Sequence, residues 1–264
     1  MGKLYIGTQE VTPILYDKEP ETGIPKEVNS HGVYGPSNSI TTFSLPSGAT
    51  DVAQYTFYYA FRGSSSLTSV DLGSLTTLSG RSAFESAFYM CTSLASIDLS
   101  SLTTLSGANA LYNAFYGCTS LTSVDLSSLT TVSNTNTLNN AFGGCTSLTS
   151  VDLSALTTIS GASAFANFFN GCTSLTSFEF DALTTVSGTS ALSYMFRSCT
   201  SLTTVSFPVL EANFGTRTDQ FNNMLNGCSG VTVHFPENLQ STIGSWASVQ
   251  NGFGGTNTTV LFDL

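Results

Sequence analysis

Six cysteines, Cys91, Cys118, Cys145, Cys172, Cys199 and Cys228, recur at spacings of 27, 27, 27, 27 and 29 residues. If those intervals stack, neighbouring Cα atoms fall within the ~4.4–6.8 Å range of a disulfide, so redox chemistry is one reading. Packing is the other. Each cysteine completes an apolar stripe such as Ala110, Leu111, Ala114, Phe115 and Cys118, where a reduced thiol serves as a small core side chain. A position that repeats with the stripe favours six reduced, structural thiols. A metal is disfavoured, because no C-x-x-C pair occurs and His31 and His234 lie outside the ladder.

Two further constellations share this period. Asp71, Asp98, Asp125, Asp152 and Glu179, flanked by Ser69, Ser96, Ser123, Ser150 and Ser177, should form an outward acidic stripe. Carboxylates about 5 Å apart repel by roughly 3 kcal/mol at an effective dielectric of ~20, which Ca²⁺ or a basic partner would relieve and simple hydration would tolerate. Tyr58, Tyr59, Arg62, Arg81 and Tyr89 cluster near the amino end, with Tyr112, Tyr116 and Arg197 further along. Tyrosine and arginine are frequent binding anchors. Equivalent positions here disagree between copies: Glu85, Tyr112, Asn139, Ala166 and Ser193 form one set, and Tyr89, Tyr116, Gly143, Asn170 and Arg197 another. Such divergence can store recognition information or reflect drift. No catalytic constellation appears, since the two histidines stand in unrelated contexts and neither G-x-S-x-G nor a P-loop occurs. Rung-repeated acids also lack the unlike environments that separate a general acid from a base.

Positioning these residues requires a repeat. Leu121-Thr-Ser-Val124-Asp-Leu126 recurs at Leu67, Leu94, Leu148, Leu175 and Leu202, and Ile40-Thr-Thr-Phe43-Ser-Leu45 lies one period upstream of Leu67. The L-x-x-L-x-L spacing predicts a short strand with Val124 and Leu126 inward and Asp125 outward. Leu129 and Val132, beside Thr130 and Thr131, predict a second short strand or a tight turn. The i, i+1, i+4, i+5, i+8 stripe predicts a short helix. One such unit buries too little to stand alone, so stacking must supply the core. The expected fold is an α/β solenoid of about eight 27-residue rungs, with parallel strands on one face, short helices on the other and caps at both ends. Residues 1–39 would form an amino-terminal cap or attachment segment, 40–235 the array, and 236–264 the carboxy-terminal cap, with the only tryptophan, Trp246, in a helix.

The segment AFGGCTSLTSVDL, from Ala141 to Leu153, resembles the BspA-like leucine-rich repeats of bacterial surface proteins. His234-Phe-Pro-Glu-Asn-Leu239 with Trp246 is similar to the closing helix of that family. The resemblance implies a non-enzymatic extracellular or cell-surface protein that binds a protein or glycan receptor. The opening Lys3-Leu-Tyr-Ile-Gly-Thr-Gln-Glu-Val-Thr-Pro13 resembles leucine-rich proteins encoded beside prophage tail genes, which would imply a virion-attached receptor-binding component. A carbohydrate-active enzyme is a third, weaker reading.

Composition narrows the partners. Only 9% of the 264 residues are charged, against an average near ~25%, so the solvated faces must be Ser, Thr, Asn and Gly. The net charge of -10 opposes a phosphate backbone, which makes nucleic acid an unfavourable partner. No run of about 18 apolar residues predicts a membrane span, and no export signal is visible at the amino terminus. Oligomeric state is left open.

Overall fold

The computed structural model describes residues 4–6, 9–11, 40–45, 48–212, 214, 219–246, 249 and 251–264, the first two stretches as backbone alone. Most of residues 1–39, and with them His31 and most of the expected amino-terminal segment, therefore lie outside the described residues.

The chain winds into a parallel solenoid of about eight turns. The hairpin β1 (Leu4–Ile6) and β2 (Gln9–Val11) precedes one run of strands: β3 (Thr42–Ser44), β4 (Ser69–Asp71), β6 (Ser96–Asp98), β8 (Ser123–Asp125), β10 (Ser150–Asp152), β12 (Ser177–Glu179), β14 (Thr204–Ser206), β15 (Thr232–Phe235) and β16 (Thr259–Phe262). A second run of two-residue strands follows them within the rungs: β5 (Thr77–Leu78), β7 (Thr104–Leu105), β9 (Thr131–Val132), β11 (Thr158–Ile159) and β13 (Thr185–Val186). Register follows the period, with Ser123 opposite Ser150, Val124 opposite Val151, and Thr131 opposite both Thr104 and Thr158. At the amino end, β1 pairs antiparallel with β3. At the other end, a 3-10 turn at Glu237–Leu239 leads into α1 (Gln240–Ile243), and β16 extends the sheet beyond β15.

Alternation explains the strands. In β8 and β10 the middle valine is buried and the flanking serine and aspartate are exposed. Val124, Leu126, Leu129 and Val132 fill the interior with their counterparts in other rungs, so one hydrophobic cluster runs from Phe43 to Phe253. Glycine is required where rungs touch: a Cβ on Gly107 would lie 2.4 Å from the Gly80 carbonyl oxygen.

The third side of each rung departs from the helix predicted for it, since the residues there form consecutive turns. In the rung that begins at Gly80, the N–H groups of Ala83, Glu85, Ala87, Tyr89 and Cys91 donate to the carbonyls three residues back, at 3.0–3.3 Å. Those of Ser82, Phe84, Ser86, Phe88 and Met90 instead donate across to Ala108, Ala110, Tyr112, Ala114 and Tyr116, at 2.6–2.9 Å. A helix would direct nearly all of them to i−4. Every fourth residue is left-handed: Ser82 (φ 51), Ser86 (φ 54) and Met90 (φ 59), then Asn109, Asn113 and Gly117, then Asn136, Asn140 and Gly144. The period of the apolar stripe is thus four, set by a four-residue turn unit. Among the described residues, regular helix is confined to the carboxy-terminal segment.

One rung interrupts the regularity. Rings stack from Phe61 through Phe88 and Phe115 to Phe142, at 5.3–5.4 Å and 3–10°. Phe168 then stands where other rungs have Ala87, Ala114 and Ala141, and it meets Phe142 edge-on at 5.2 Å. Phe178 and Phe180 likewise replace Val151 and Leu153. At the same step the outer sheet divides, one block ending at β10 and the next starting at β12, while the β5–β13 sheet runs through.

Candidate functional site

All six cysteines are buried and free. Each thiol donates to the carbonyl of a phenylalanine in the preceding rung, from Cys91 to Phe61 through to Cys228 and Phe196, at 2.9–3.3 Å. Burial pushes the thiols up, to about 12 for Cys91 and Cys145, so the thiolate needed for exchange is scarce at neutral pH. Their chemistry is donation to backbone oxygen. Among the described residues, no three His, Cys, Asp or Glu side chains are grouped to hold a metal.

The acidic stripe is exposed, with Asp98 opposite Asp71 and Asp125 on its two sides. Each aspartate also has a local task. Oδ1 of Asp71, Asp98, Asp125 and Asp152 accepts the N–H two residues on, from Gly73, Ser100, Ser127 and Ser154, at 2.9–3.0 Å. These are Asx-turns that end the strand. The Ser127 side chain and backbone hold the Asp125 carboxyl below its ordinary value. Glu179, one methylene longer, occupies the same position in the Phe-rich rung, and Ser69, Ser96, Ser123, Ser150 and Ser177 line the other edge. Between β8 and β10, Ser123, Val124, Asp125, Ser150, Val151 and Asp152 enclose a shallow hollow.

The turn face gathers most of the expected aromatic and basic residues. Arg62, Tyr89, Tyr116 and Gly143 stand one period apart and so form one column. The Arg62 guanidinium lies 4.7 Å from the Tyr89 centroid and 5.2 Å from that of Tyr59. Tyr89 and Tyr116 stack at 4.9 Å and 13°. The Tyr116 ring covers Gly143, where a Cβ would lie 2.9 Å from its Cδ2. Tyr58 meets Tyr59 edge-on at 4.3 Å and Tyr55 at 5.9 Å. Burial, then Tyr59, pushes the Tyr58 hydroxyl up. The Arg81 carbonyl accepts the Tyr55 N–H at 2.9 Å, which sets that exposed arginine beside the group. Tyr112 belongs to the adjacent column, one period after Glu85. Arg197 is not part of the group. It lies five rungs from Arg62, about 24 Å at a rung spacing of ~4.8 Å, and faces Tyr194 at 5.9 Å.

Sequence reasoning passed over several residues. Burial pushes the Asp51 carboxyl up, but hydrogen bonds from the Ser79 hydroxyl, the Ser79 N–H at 2.9 Å and the Val52 N–H at 2.7 Å outweigh it and hold the group below its ordinary value. Asp51 thereby pins the first rung to the second. Asn140 donates to Asn113 at 2.7 Å beneath the tyrosine column. The period-four run of Asn, Ser and Gly was the available signal for these turns, because those residues accept left-handed backbone.

The family comparison agrees with the repeat architecture. The BspA type leucine rich repeat region matches in six copies, over residues 26–167, 81–192 and 113–248. Among solved structures, the crystal structure of the T. pallidum leucine rich repeat protein is similar, with 19% identity, 83% of this chain and 86% of that chain covered, and a TM-score of 0.33. No curated protein matches.

Proposed function

Since the chain belongs to the BspA-type leucine-rich-repeat family, we propose that it is a non-catalytic binding module of a cell surface or virion, which recognises a protein or glycan receptor through the outside of its repeats. Repeats of this family form binding scaffolds, typically on surface or secreted proteins. Among the described residues, no helix is long and apolar enough to cross a membrane.

One observation carries the reading. The core positions are nearly interchangeable from rung to rung, while the equivalent turn positions hold Glu85, Tyr112, Asn139, Ala166 and Ser193, or Tyr89, Tyr116, Gly143, Asn170 and Arg197, which range from buried (Gly143, Ala166, Ser193) through half-buried to exposed (Arg197). Identical backbones displaying unlike side chains suit recognition. In this reading, residues 40–235 display the surface, 236–264 close the far end, and 1–39 cap or attach the near end. A screen of the purified chain against extracellular-matrix proteins and glycans tests it, with hydrolysis of the same glycans followed in parallel. Saturable binding without turnover is expected. Glycan cleavage, or no binding to any class, would overturn the proposal.

A further inference from the structure

The turn-face column has a chemistry of its own. Its ring faces are already covered, by Arg62 at one end, by each other in the middle and by Gly143 at the other end. A ligand therefore meets ring edges and phenol oxygens, offered at about one rung interval, and the outer edge of a guanidinium. Arg62 and Arg81 flank the tyrosines and both are exposed. The nearby acids among the described residues are Glu85, which is half-buried and close enough to Tyr58 to raise its hydroxyl, and Asp51, whose carboxylate accepts from Ser79 and Val52. With Asp51 engaged by Ser79 and Val52 and Glu85 half-buried, Arg62 and Arg81 are the exposed cations here, in a chain with 7 basic and 17 acidic side chains, three of the basic ones being lysines within residues 1–39.

From this we infer that the Arg62–Tyr89–Tyr116 column, with Arg81 at its flank, binds a saccharide bearing a carboxylate. The planar guanidinium fork matches a planar carboxylate in two parallel hydrogen bonds. Phenol hydroxyls, which both donate and accept, match sugar hydroxyls. A singly charged sugar fits where a polyanion does not. The field of the other acids is screened beyond ~8 Å at physiological ionic strength, whereas a run of phosphates or sulfates would reach past the two arginines into it. The turn face shows stacked rings in place of an apolar cleft, which disfavours a peptide that anchors through a buried side chain. The inference rests on the binding reading above and specifies its ligand class.

An array of sialylated, uronate-bearing, carboxyl-reduced and neutral oligosaccharides, together with acidic peptides, tests it, followed by calorimetric titration of the strongest probe. Binding should be confined to carboxylated sugars and fall at least tenfold on carboxyl reduction. Arg62→Ala should weaken it at least tenfold and Tyr116→Phe several-fold, with unchanged melting temperature, while Arg197→Ala binds like the wild type. Equal binding of neutral sugars, preference for acidic peptides, or full affinity in Arg62→Ala would overturn the inference. Silence on every glycan with saturable binding to a matrix protein would sink it too, yet leave the broader binding reading intact.

Discussion

The strand face and the turn face carry the same 27-residue period but use it in opposite ways. On the strand sides the repeated aspartates and threonines are engaged by the fold itself. Asp71, Asp98, Asp125 and Asp152 close their own turns, and the hydroxyls of Thr103, Thr130, Thr157 and Thr184 donate to the threonine carbonyl of the rung before at 2.9–3.3 Å. On the turn face the ladder is carried by backbone groups, and the outer side chains differ from rung to rung. The uniform repetition of these aspartates and threonines thus goes with a task inside the rung. Its absence marks the positions available to a ligand.

Damage to the shared interior should produce the largest effect. Phe115→Ala opens a cavity between Phe88 and Phe142, and denaturant unfolding should show a loss of about 3–5 kcal/mol. The turn reading gives a sharper test because the alternative has the opposite sign. Asn167 sits at φ 56, so Asn167→Ala should destabilise by roughly 1–2 kcal/mol and Asn167→Gly should not. Were this segment helical, alanine would stabilise it and glycine would weaken it.

On the strand face, Asp152→Ala removes an acceptor and should cost about 0.5–1.5 kcal/mol, whereas Asp152→Asn keeps Oδ1 and should be close to neutral. Millimolar calcium should leave the melting temperature unchanged. A calcium-dependent rise lost in Asp125→Asn would instead make the stripe a cation site. The smallest effect is with pH. Asp51 and Asp125 are held below their ordinary values, so their contribution is full at neutral pH and disappears as pH falls through ~4 toward the folded-state values. Melting curves from pH 6 to 3 should fall less steeply for Asp51→Asn than for the wild type.

Much of this fold is legible in the sequence because a stacked repeat writes each contact several times. The cysteine spacing sets the rung length, and Leu121, Val124, Leu126, Leu129 and Val132 give the inward positions of both strand runs. The turns are harder to read because a four-residue unit and a 3.6-residue helix place apolar residues almost identically over three turns. Only the left-handed Asn109, Asn113 and Gly117 separate them, and Ser82, Ser86 and Met90 obscure even that signal. The division between β10 and β12 coincides with Phe168, Phe178 and Phe180 in one rung, a change that no single period reveals. At the candidate site, the types Tyr58, Tyr59, Arg62, Arg81 and Tyr89 are visible from residue chemistry. That Arg62, Tyr89 and Tyr116 form one column while Arg197 stands apart follows only from counting rungs.

The rungs lie in register, so that each cysteine is filed directly over the last. An anomalous-difference map from crystals of the native protein, phased on its sulfurs, tests this most directly. Six cysteine peaks are expected in a single buried row at intervals of about 4.8 Å, each beside a phenylalanine carbonyl of the preceding rung. Sulfurs scattered through the molecule, or joined in pairs as disulfides, would contradict it.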